Sequence, residues 1–447
     1  MPELKEAAGA HGAAPAGSCN GRQQTLSWHA MPCCPLRAVG LSLLLYTTAA
    51  ASGSDAWPQF LGPTRDGVYS GEDLAASWPT AGPKVLWSYS VGQGLAGPVT
   101  ADGRVIVFHR KGETEVVECL DALDGTKRWD FSYPSHYSNS IGTDDSGPRA
   151  TPALAGGKAY TLGAEGMIHA VDLETGKRVW SVDARAEYGA DLGYFGLACS
   201  PLVDGGRVLL NIGGRSGAGI VALDAGTGKL VWKATDDAAS YSSPTLGTVL
   251  GSKAAVFFTR SGLRILDPES GAVRFSLPWR ARSNTTVNAA TPLFVGDAIF
   301  LSASYGTGAV LLTLKDGGVV EKIWSSDDAL SNHYSTSVLY HGDLIGFDGR
   351  QEGGASLRCV EATTGKVRWS KERFGCGTVT LAKDRLLVLT EEGDLLLAPA
   401  SPMDFVPVAK ASLADGTVRA YPALASGRLY ARGERKLVCL DLRKKSP

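Results

Sequence analysis

Short apolar runs, most of them rich in Val, Ile, Leu and Tyr, follow one another along most of the chain and alternate with turns rich in Gly, Asp and Lys. One set of four consecutive runs is RATPALAGG, KAYTLGAEG, MIHAVDLETG and KRVWSVDA, which spans residues 149–184. Runs of this length, without a long stretch of helical period, predict β-strands. The pattern therefore favours an all-β fold made of four-stranded units.

A signature of three residues marks these units. In AVDLETGKRVW, Asp172 is followed by Gly176 four positions later and by Trp180 eight positions later. The signature recurs as Asp121, Gly125 and Trp129; as Asp224, Gly228 and Trp232; as Glu361, Gly365 and Trp369; and, with Phe275 in place of Trp, as Asp267 and Gly271. Copies at intervals of roughly 40–50 residues are typical of propellers and solenoids.

Each residue of the signature has a structural role in this interpretation. The glycine permits a positive φ in the turn between the third and fourth strands. The aspartate side chain accepts backbone hydrogen bonds within that turn. The tryptophan on the fourth strand is large and flat enough to pack one unit against the next.

The chain contains about eight such units. They begin near Ala96, Arg149, Leu197, Tyr241, Asn288, His333, Cys376 and Thr417. The fifth unit is irregular around Trp324, the seventh lacks the signature, and the eighth has three strands. The segment KVLWSYSV, residues 84–91, supplies the missing strand and carries Trp87. We therefore predict an eight-bladed β-propeller of four-stranded antiparallel blades, closed by an N-terminal strand, because closure removes exposed sheet edges.

The repeat resembles that of the pyrroloquinoline-quinone-like (PQQ-like) propeller family, whose blades carry Ala-x-Asp-x-x-x-Gly-x-x-x-Trp. AVDLETGKRVW and ALDAGTGKLVW match every named position, and WPQFLGPTRDG near the start resembles the opening of exported bacterial members. The repeat type is similar to that of the propeller lipoprotein of the outer-membrane assembly machinery and of quinoprotein alcohol dehydrogenases. The signature is specific for the fold, and its residues are structural.

The N-terminal region has the features of an export leader. An apolar stretch, residues 38–46, precedes three alanines at 49–51 that fit a cleavage site. We predict a leader and signal peptide over residues 1–51, with Met31 as a possible true start, and a disordered leader is the alternative. An N-terminal extension (52–83), the propeller (84–443) and a tail (444–447) follow. The protein is then periplasmic or secreted, with no transmembrane span after removal of the signal.

The net charge and the positions of the cysteines exclude some classes of function. The formal net charge is −1, so no global field favours nucleic acid. Cys33 and Cys34 precede the apolar stretch, unlike a lipoprotein acceptor cysteine. Cys119, Cys359 and Cys439 occupy equivalent small, buried strand positions in different units, whereas a bridge between Cys199 and Cys376 stays open.

The loops of one predicted face are long and polar, and such loops on a rigid scaffold are the usual place for binding. The candidate ligand residues on them are Arg149, Tyr194, Arg215, Tyr241, Asn284, Asn288, His333, Tyr334, Asp348, Arg350, Arg419 and Tyr421. The competing interpretation is that these loops satisfy one another across the channel. No metal-ligand spacing surrounds His333, and paired loop aspartates are typical of solvated carboxylates. We therefore expect no metal site.

Three functional hypotheses follow. The first is a non-catalytic envelope or secreted propeller, monomeric, that acts as a binding or scaffold module for a protein or glycan partner and holds no cofactor. The second is a PQQ-dependent alcohol or sugar dehydrogenase with calcium. The resemblance implies a Trp floor, a ring of adjacent cysteines, calcium held by Glu and Asn, and an Asp base for such a site, and the chain has no adjacent cysteines after its leader. The third is a glycan-cleaving propeller that uses loop carboxylates and His333 or a tyrosine.

Overall fold

The computed structural model describes residues 56–139, 146–280, 288–413 and 416–444. The predicted leader, Asn284 and residues 445–447 lie outside these ranges. The described chain is an eight-bladed β-propeller of antiparallel sheets, as the sequence predicts. This part of the chain has no helix long and apolar enough to cross a lipid bilayer.

Two strands precede the first four blades, and the first of them lies in the N-terminal extension. Those two are β1 (Val68–Tyr69) and β2 (Lys84–Ser90). Blade one holds β3 (Val99–Ala101), β4 (Arg104–Lys111), β5 (Thr114–Asp121) and β6 (Lys127–Pro134); blade two holds β7 (Ala153–Ala155), β8 (Lys158–Leu162), β9 (Met167–Asp172) and β10 (Arg178–Asp183). After the short helix α1 (Ala184–Tyr188), blade three holds β11 (Leu202–Asp204), β12 (Arg207–Asn211), β13 (Ile220–Asp224) and β14 (Leu230–Ala234); blade four holds β15 (Thr245–Val249), β16 (Ser252–Thr259), β17 (Gly262–Leu266) and β18 (Val273–Pro278).

The second half of the ring contains the irregular units. Blade five holds β19 (Leu293–Val295), β20 (Ala298–Ala303), β21 (Gly308–Lys315) and β22 (Val319–Ser326), with a 3-10 turn at Asp316–Gly318; blade six holds β23 (Val338–Tyr340), β24 (Asp343–Asp348), β25 (Ser356–Glu361) and β26 (Val367–Lys371), with a 3-10 turn at Gln351–Gly353. Blade seven holds β27 (Gly377–Ala382), β28 (Arg385–Thr390), β29 (Asp394–Pro399) and β30 (Ala409–Ser412); blade eight holds β31 (Ala423–Ala425), β32 (Arg428–Arg432) and β33 (Lys436–Asp441).

The ring closes through blade eight. Strand β2 pairs antiparallel with β33, and Trp87 lies opposite Cys439 in that ladder. The last blade therefore receives its fourth strand from the N-terminal side of the chain, which confirms the predicted closure.

The signature tryptophans join neighbouring blades by one repeated contact. The indole Nε1 of Trp129 donates to the carbonyl of Leu173 at 3.0 Å, and that of Trp180 donates to the carbonyl of Ala225 at 3.0 Å. Both acceptors directly follow the aspartate of the next blade. The same contact links Trp87 to Ala122, Trp232 to Pro268 and Trp324 to Ala362, while Trp369 donates to Ser401 of the seventh blade. The predicted packing role of the tryptophan is confirmed.

The aspartates organise the turns, as the sequence predicts. Asp172 Oδ1 accepts the backbone N–H of Thr175 at 2.8 Å and its hydroxyl at 2.7 Å. Asp224 makes the same two contacts with Thr227. These bonds fix the short turns on one face of the ring.

The N-terminal extension lies against the inner strands of several blades. Trp57 forms an antiparallel bridge with Thr100 of β3, and the carbonyl of Pro58 accepts the N–H of Leu154 in β7. Further along, β1 pairs parallel with β27 of the seventh blade. The extension therefore occupies the channel at the ends of the inner strands that lead into the short turns.

Arg65 anchors this extension deep inside the ring. Its guanidinium donates to the carbonyls of Ser200 and Pro201, at 3.1 and 2.9 Å, and to the side chain of Gln59. Only 2% of the residue is exposed, and burial lowers its pKa to about 10. The charge is balanced by carbonyl dipoles, which make the anchor specific for a guanidinium.

Candidate functional site

A basin of about 1460 Å³ opens on the long-loop face of the ring. Its walls come from two kinds of loop: those that lead into the first strands of the blades and those that join second to third strands. Seven basic residues line it, namely Arg110, Lys111, Arg149, Arg350, Arg419, Arg432 and Arg435. Two acidic residues, Glu352 and Glu434, line it as well. The walls thus carry a surplus of positive charge.

Tyr305, His333 and Gln351 form a hydrogen-bonded row on one wall. The Tyr305 hydroxyl lies 3.1 Å from His333 Nε2, and His333 Nδ1 lies 2.7 Å from Gln351 Oε1. Burial lowers the pKa of His333, although the bond to Gln351 favours its charged form. The imidazole is therefore neutral at pH 7.

Arg350 lies over this row. Its guanidinium carbon is 4.4 Å from the centroid of the Tyr305 ring, and its Nε donates to Glu352 at 3.1 Å. Tyr305 has a φ of 66°. A tyrosine in the left-handed region is strained, and such strain is concentrated at functional positions.

A second arginine is stacked on an aromatic ring at Arg149. Its guanidinium carbon lies 5.0 Å from the centroid of Phe195. The Phe195 ring packs edge-on against Tyr241, whose hydroxyl accepts the backbone N–H groups of Tyr194 and Phe195. Tyr194 itself is 40% exposed at the rim. Tyr194 and Tyr241 also line an adjoining pocket of about 400 Å³.

Arg419 belongs to a third charged group. It donates to Glu391 Oε1 at 2.9 Å, and the hydroxyl of Tyr334 donates to the same oxygen at 2.7 Å. Burial and the nearby Glu391 carboxylate raise the pKa of Tyr334 well above its usual value. Tyr334 therefore acts as a hydrogen-bond donor to Glu391.

Two further arginines build the wall rather than face a ligand. Arg432 is 1% exposed and donates to the carbonyls of Gly92, Ala96 and Phe108. Arg110 donates to the carbonyls of Gly112, Tyr137 and Ser146. They fix the glycine-rich loops that form this side of the basin.

The sequence candidates thus divide into two groups. Arg149, Tyr194, His333, Arg350 and Arg419 meet at the basin, and Tyr241 lies beside it. Four others serve the scaffold. Asn288 is 3% exposed and donates to the carbonyl of Thr259, and Asp348 forms an ion pair with Arg358 at 2.8 Å. The Tyr421 hydroxyl bonds to the backbone of Thr336, and the Tyr421 ring packs against Phe60. Tyr334 donates to Glu391. Arg215 is exposed and outside the basin walls.

The candidates predicted from the sequence do not include Tyr305, Phe195, Gln351 or Glu391. Tyr305 lies within SYGTG and Gln351 within DGRQEGG, two loops that join second to third strands of their blades. A tyrosine between serine and glycine gives no periodic signal. Its importance depends on contacts with loops of other blades.

The described cysteines are all free and buried. Cys199 precedes the inner strand of blade three and Cys376 that of blade seven, so the bridge left open by the sequence does not form. Burial raises the pKa of Cys199 to about 11 and that of Cys376 to about 12. These thiols are protonated at neutral pH.

A family model described as outer membrane protein assembly factor BamB matches residues 113–371, more than half of the chain. The chain belongs to this family. It is 27% identical over 307 residues to the outer membrane protein assembly factor BamB of Burkholderia pseudomallei, a match that covers 62% of this chain and 69% of that protein. The solved structure of BamB from Moraxella catarrhalis superposes with a TM-score of 0.58 at 17% identity, covering 82% of this chain and 100% of that one.

Quinoproteins are also similar to this BamB-family chain. It is 31% identical over 155 residues to the quinohemoprotein alcohol dehydrogenase ADH-IIG of Pseudomonas putida, which is 33% of this chain. The matched part spans only 21% of that relative. The quinohemoprotein alcohol dehydrogenase of Comamonas testosteroni superposes with a TM-score of 0.62 at 16% identity, covering 89% of this chain and 82% of that one. These likenesses establish the repeat and the fold.

The basin does not fit the calcium–quinone site that the dehydrogenase resemblance implies. The described cysteines lie in five different blades, so they form no ring of adjacent cysteines. No group of three potential metal-ligating side chains occurs among the described residues. Glu352 and Glu391 are already engaged by Arg350 and Arg419. Of the parts that such a site needs, the basin offers only arginines, which can pair with the carboxylates of the cofactor.

Proposed function

We propose that the protein is a binding propeller of the cell envelope, which holds a protein partner through the basin on its long-loop face and catalyses no reaction. The observation that carries this proposal is the basin itself. It is open on the long-loop side, filled by the N-terminal extension on the other side, and lined by seven basic residues against two acidic ones. A rigid ring with a deep charged recess is suited to recognition.

Membership of the BamB family supports a role in envelope assembly. The matching model and the Burkholderia relative are both named outer membrane protein assembly factors. A scaffold function needs a stable shape and a specific surface, and it needs no cofactor. The free, buried thiols and the engaged carboxylates of the basin are consistent with this role.

The in-cell test compares two pairs of charge reversals in the native host. Arg350→Glu with Arg419→Glu reverses the basin, whereas Lys177→Glu with Lys229→Glu reverses two exposed lysines on the short-turn face. We expect the basin pair to reduce the amount of folded outer-membrane protein and the control pair to leave it unchanged. Equal levels in both strains, with both proteins folded, would refute the role of the basin.

The dehydrogenase hypothesis is kept as a second candidate because Arg149, Arg350 and Arg419 are placed to pair with cofactor carboxylates. Its test is an absorbance titration of the purified protein with pyrroloquinoline quinone, with and without calcium. We expect no shift of the quinone spectrum. Stoichiometric, calcium-dependent binding would replace the scaffold proposal with a quinoprotein function.

The glycan-cleaving hypothesis rests on the Tyr305–His333 pair, the one hydrogen-bonded tyrosine–histidine contact among the basin residues described above. A panel of polysaccharides, assayed for new reducing ends or unsaturated products over a range of pH, tests it. We expect no product.

A further inference from the structure

The chain between the closing strand β2 and the first strand of blade one contributes to the wall of the basin. Residues 91–95, called the connecting segment below, all line the basin, and their sequence VGQGL carries no ionisable side chain. Backbone hydrogen bonds tie the first, third and fifth of these residues to other parts of the ring. The N–H of the second residue, Gly92, donates instead to a side chain, the imidazole of His109 in β4.

The contacts of His109 determine its protonation state. Its Nδ1 lies 2.6 Å from the backbone nitrogen of Gly92, and its Nε2 lies 2.8 Å from Oε2 of Glu118. Because a backbone N–H can only donate, Nδ1 accepts with its lone pair. The ring hydrogen is therefore on Nε2, which donates it to the Glu118 carboxylate. The imidazole is neutral as long as Gly92 stays in this position.

A protonated His109 is incompatible with the position of Gly92. A second hydrogen, on Nδ1, would place two N–H donors against each other across 2.6 Å. The His109 residue is 0% exposed, so water does not reach the new donor in this conformation. A Cβ built on Gly92 would lie 3.2 Å from His109 Nδ1 and 1.9 Å from the carbonyl oxygen of Arg110, so the segment packs directly on β4. The proton is accommodated only when Gly92 moves away.

The charged groups around His109 act in both directions. Burial lowers the pKa of His109, the hydrogen bond to Glu118 raises it, and the charges of Arg432 in β32 and of Lys111 lower it. Glu118 stays ionised, because the bonds from His109 and Lys111 outweigh its burial and lower its pKa to about 2. Tyr89 of β2 also faces Glu118 and stays neutral, since burial raises its pKa to about 12. Exposure to water on release of the segment removes the burial effect and raises the pKa of His109.

We propose that His109 is an acid-sensitive switch, which holds the connecting segment in the wall of the basin while its imidazole is neutral and releases the segment when the imidazole is protonated. Release breaks two bonds of Gly92, its N–H bond to His109 and the bond that its carbonyl accepts from Arg432 at 2.7 Å. The basin thus has a second, more open form in acid. This inference goes beyond the proposed function, since it assigns a conformational change to the basin whatever the basin binds.

The test is hydrogen–deuterium exchange of the purified protein, followed by mass spectrometry at pH 7.5, 6.5 and 5.5, with rates corrected for the pH dependence of intrinsic exchange. A solvated histidine has a pKa of about 6.5, so coupling to one proton weakens the closed form by up to about tenfold between pH 7.5 and 5.5. We expect the protection of peptides covering residues 91–95 to fall by about this factor, and that of blade four to fall less.

Two variants make the result specific for the switch. His109→Asn keeps an oxygen acceptor close to the position of Nδ1 and does not titrate, so protection of the segment should no longer depend on pH. Glu118→Gln removes the negative charge that favours a protonated His109, so the loss of protection should begin at lower pH. Because it leaves the histidine in place, Glu118→Gln decides the matter if His109→Asn does not fold.

His169→Phe is the control. It removes another buried histidine, in blade two, and should keep the pH-dependent loss of protection at residues 91–95. Melting temperatures establish which variants are folded.

Three results would overturn the inference: protection of the segment that changes with pH no more than that of blade four, an undiminished pH dependence in His109→Asn, or an unchanged onset in Glu118→Gln. The proposed function fails separately, because the exchange measurement uses no partner. It is contradicted when basin reversals leave outer-membrane protein levels unchanged in cells, whatever the connecting segment does in acid.

Discussion

The indole ring of Trp180 lies directly on Gly228 of the following blade. A Cβ built on this glycine would be 2.8 Å from the indole carbons, closer than real contacts allow. Gly228 also has a φ of 74°. The glycine and the tryptophan of the repeat thus contact each other across neighbouring blades. A Cβ on the glycine would overlap the indole in the same way at Trp87–Gly125, Trp129–Gly176, Trp232–Gly271 and Trp324–Gly365.

Gly228→Ala should therefore destabilise the propeller by more than the cost of placing an alanine at a positive φ, because the new methyl group also overlaps the indole ring. The matched control is Gly206→Ala, since Gly206 has a φ of 78° and open space around its Cβ position. We expect a loss of about 1 kcal/mol for the control and about 3 kcal/mol for Gly228→Ala, because the second also displaces the indole. Urea unfolding measures both. Equal losses would mean that the tryptophan contact adds nothing to the requirement for glycine.

His169 predicts a pH dependence of stability. Its ring is buried between blades one and two, it packs against Phe131 and Tyr133, and neither ring nitrogen has a hydrogen-bond partner among the described residues. Burial, assisted by Arg178, lowers the pKa of His169 to about 4. The unfolded chain then binds the proton more tightly than the folded one, so stability falls as pH drops below about 6.5.

The wild type should thus lose about 2 kcal/mol through this residue between pH 7.5 and 5. His169→Phe preserves the ring contacts and removes the titration, so its unfolding free energy should fall less over that interval. His136→Phe, at an exposed histidine, is the control and should follow the wild type. Parallel pH curves for His169→Phe and the wild type would contradict this account.

The anchor of the N-terminal extension provides a third test. Arg65→Met leaves the carbonyls of Ser200 and Pro201 without their donor, so we expect a loss of about 3 kcal/mol and faster proteolysis within residues 57–75. Thr64→Ala, at the exposed neighbouring residue, should cost less than about 1 kcal/mol. Unchanged proteolysis of Arg65→Met would show that the extension is held by its other contacts.

The buried thiols give a prediction for cysteine chemistry. All five described cysteines are buried, and burial raises the pKa of Cys119 to about 11 and that of Cys359, Cys376 and Cys439 to about 12. A thiol reagent such as DTNB should label none of them in the native protein and all of them in denaturant. The assay uses the chain without residues 1–51, which removes the three leader cysteines. Rapid labelling of that native chain would contradict the described burial, and incomplete labelling after denaturation would reveal a disulfide.

The fold is predictable from the sequence because most blades repeat the same Asp–Gly turn and the same tryptophan contact with the next blade. The donor strand of blade eight was identifiable from its Trp87 and from the three-stranded last unit, and it pairs with β33 as expected. In contrast, WPQFLGPTRDG gave no periodic signal. Its position in the channel depends on contacts of Trp57 and Arg65 with inner strands far away in sequence.

The site was only partly predictable for the same reason. Loop length and polarity selected the face on which the basin opens, and Arg149, His333 and Arg350 of the candidate set line that basin. The same criterion also selected Asn288 and Tyr421, which are polar because they bond to backbone groups inside the ring. Tyr305 and Phe195 matter through arginines of other blades, and a single sequence does not encode that pairing in its spacing.

The most direct test of the central claim is site-specific photocrosslinking in the native host. Benzoylphenylalanine replaces Tyr194, which is 40% exposed at the rim of the basin, or Leu123, which is 68% exposed in a short turn of the opposite face. We predict one discrete protein adduct at position 194, reproducible with the two purified proteins, and none at position 123. Adducts at position 123 alone, or at neither position, would contradict a binding propeller that acts through its long-loop face.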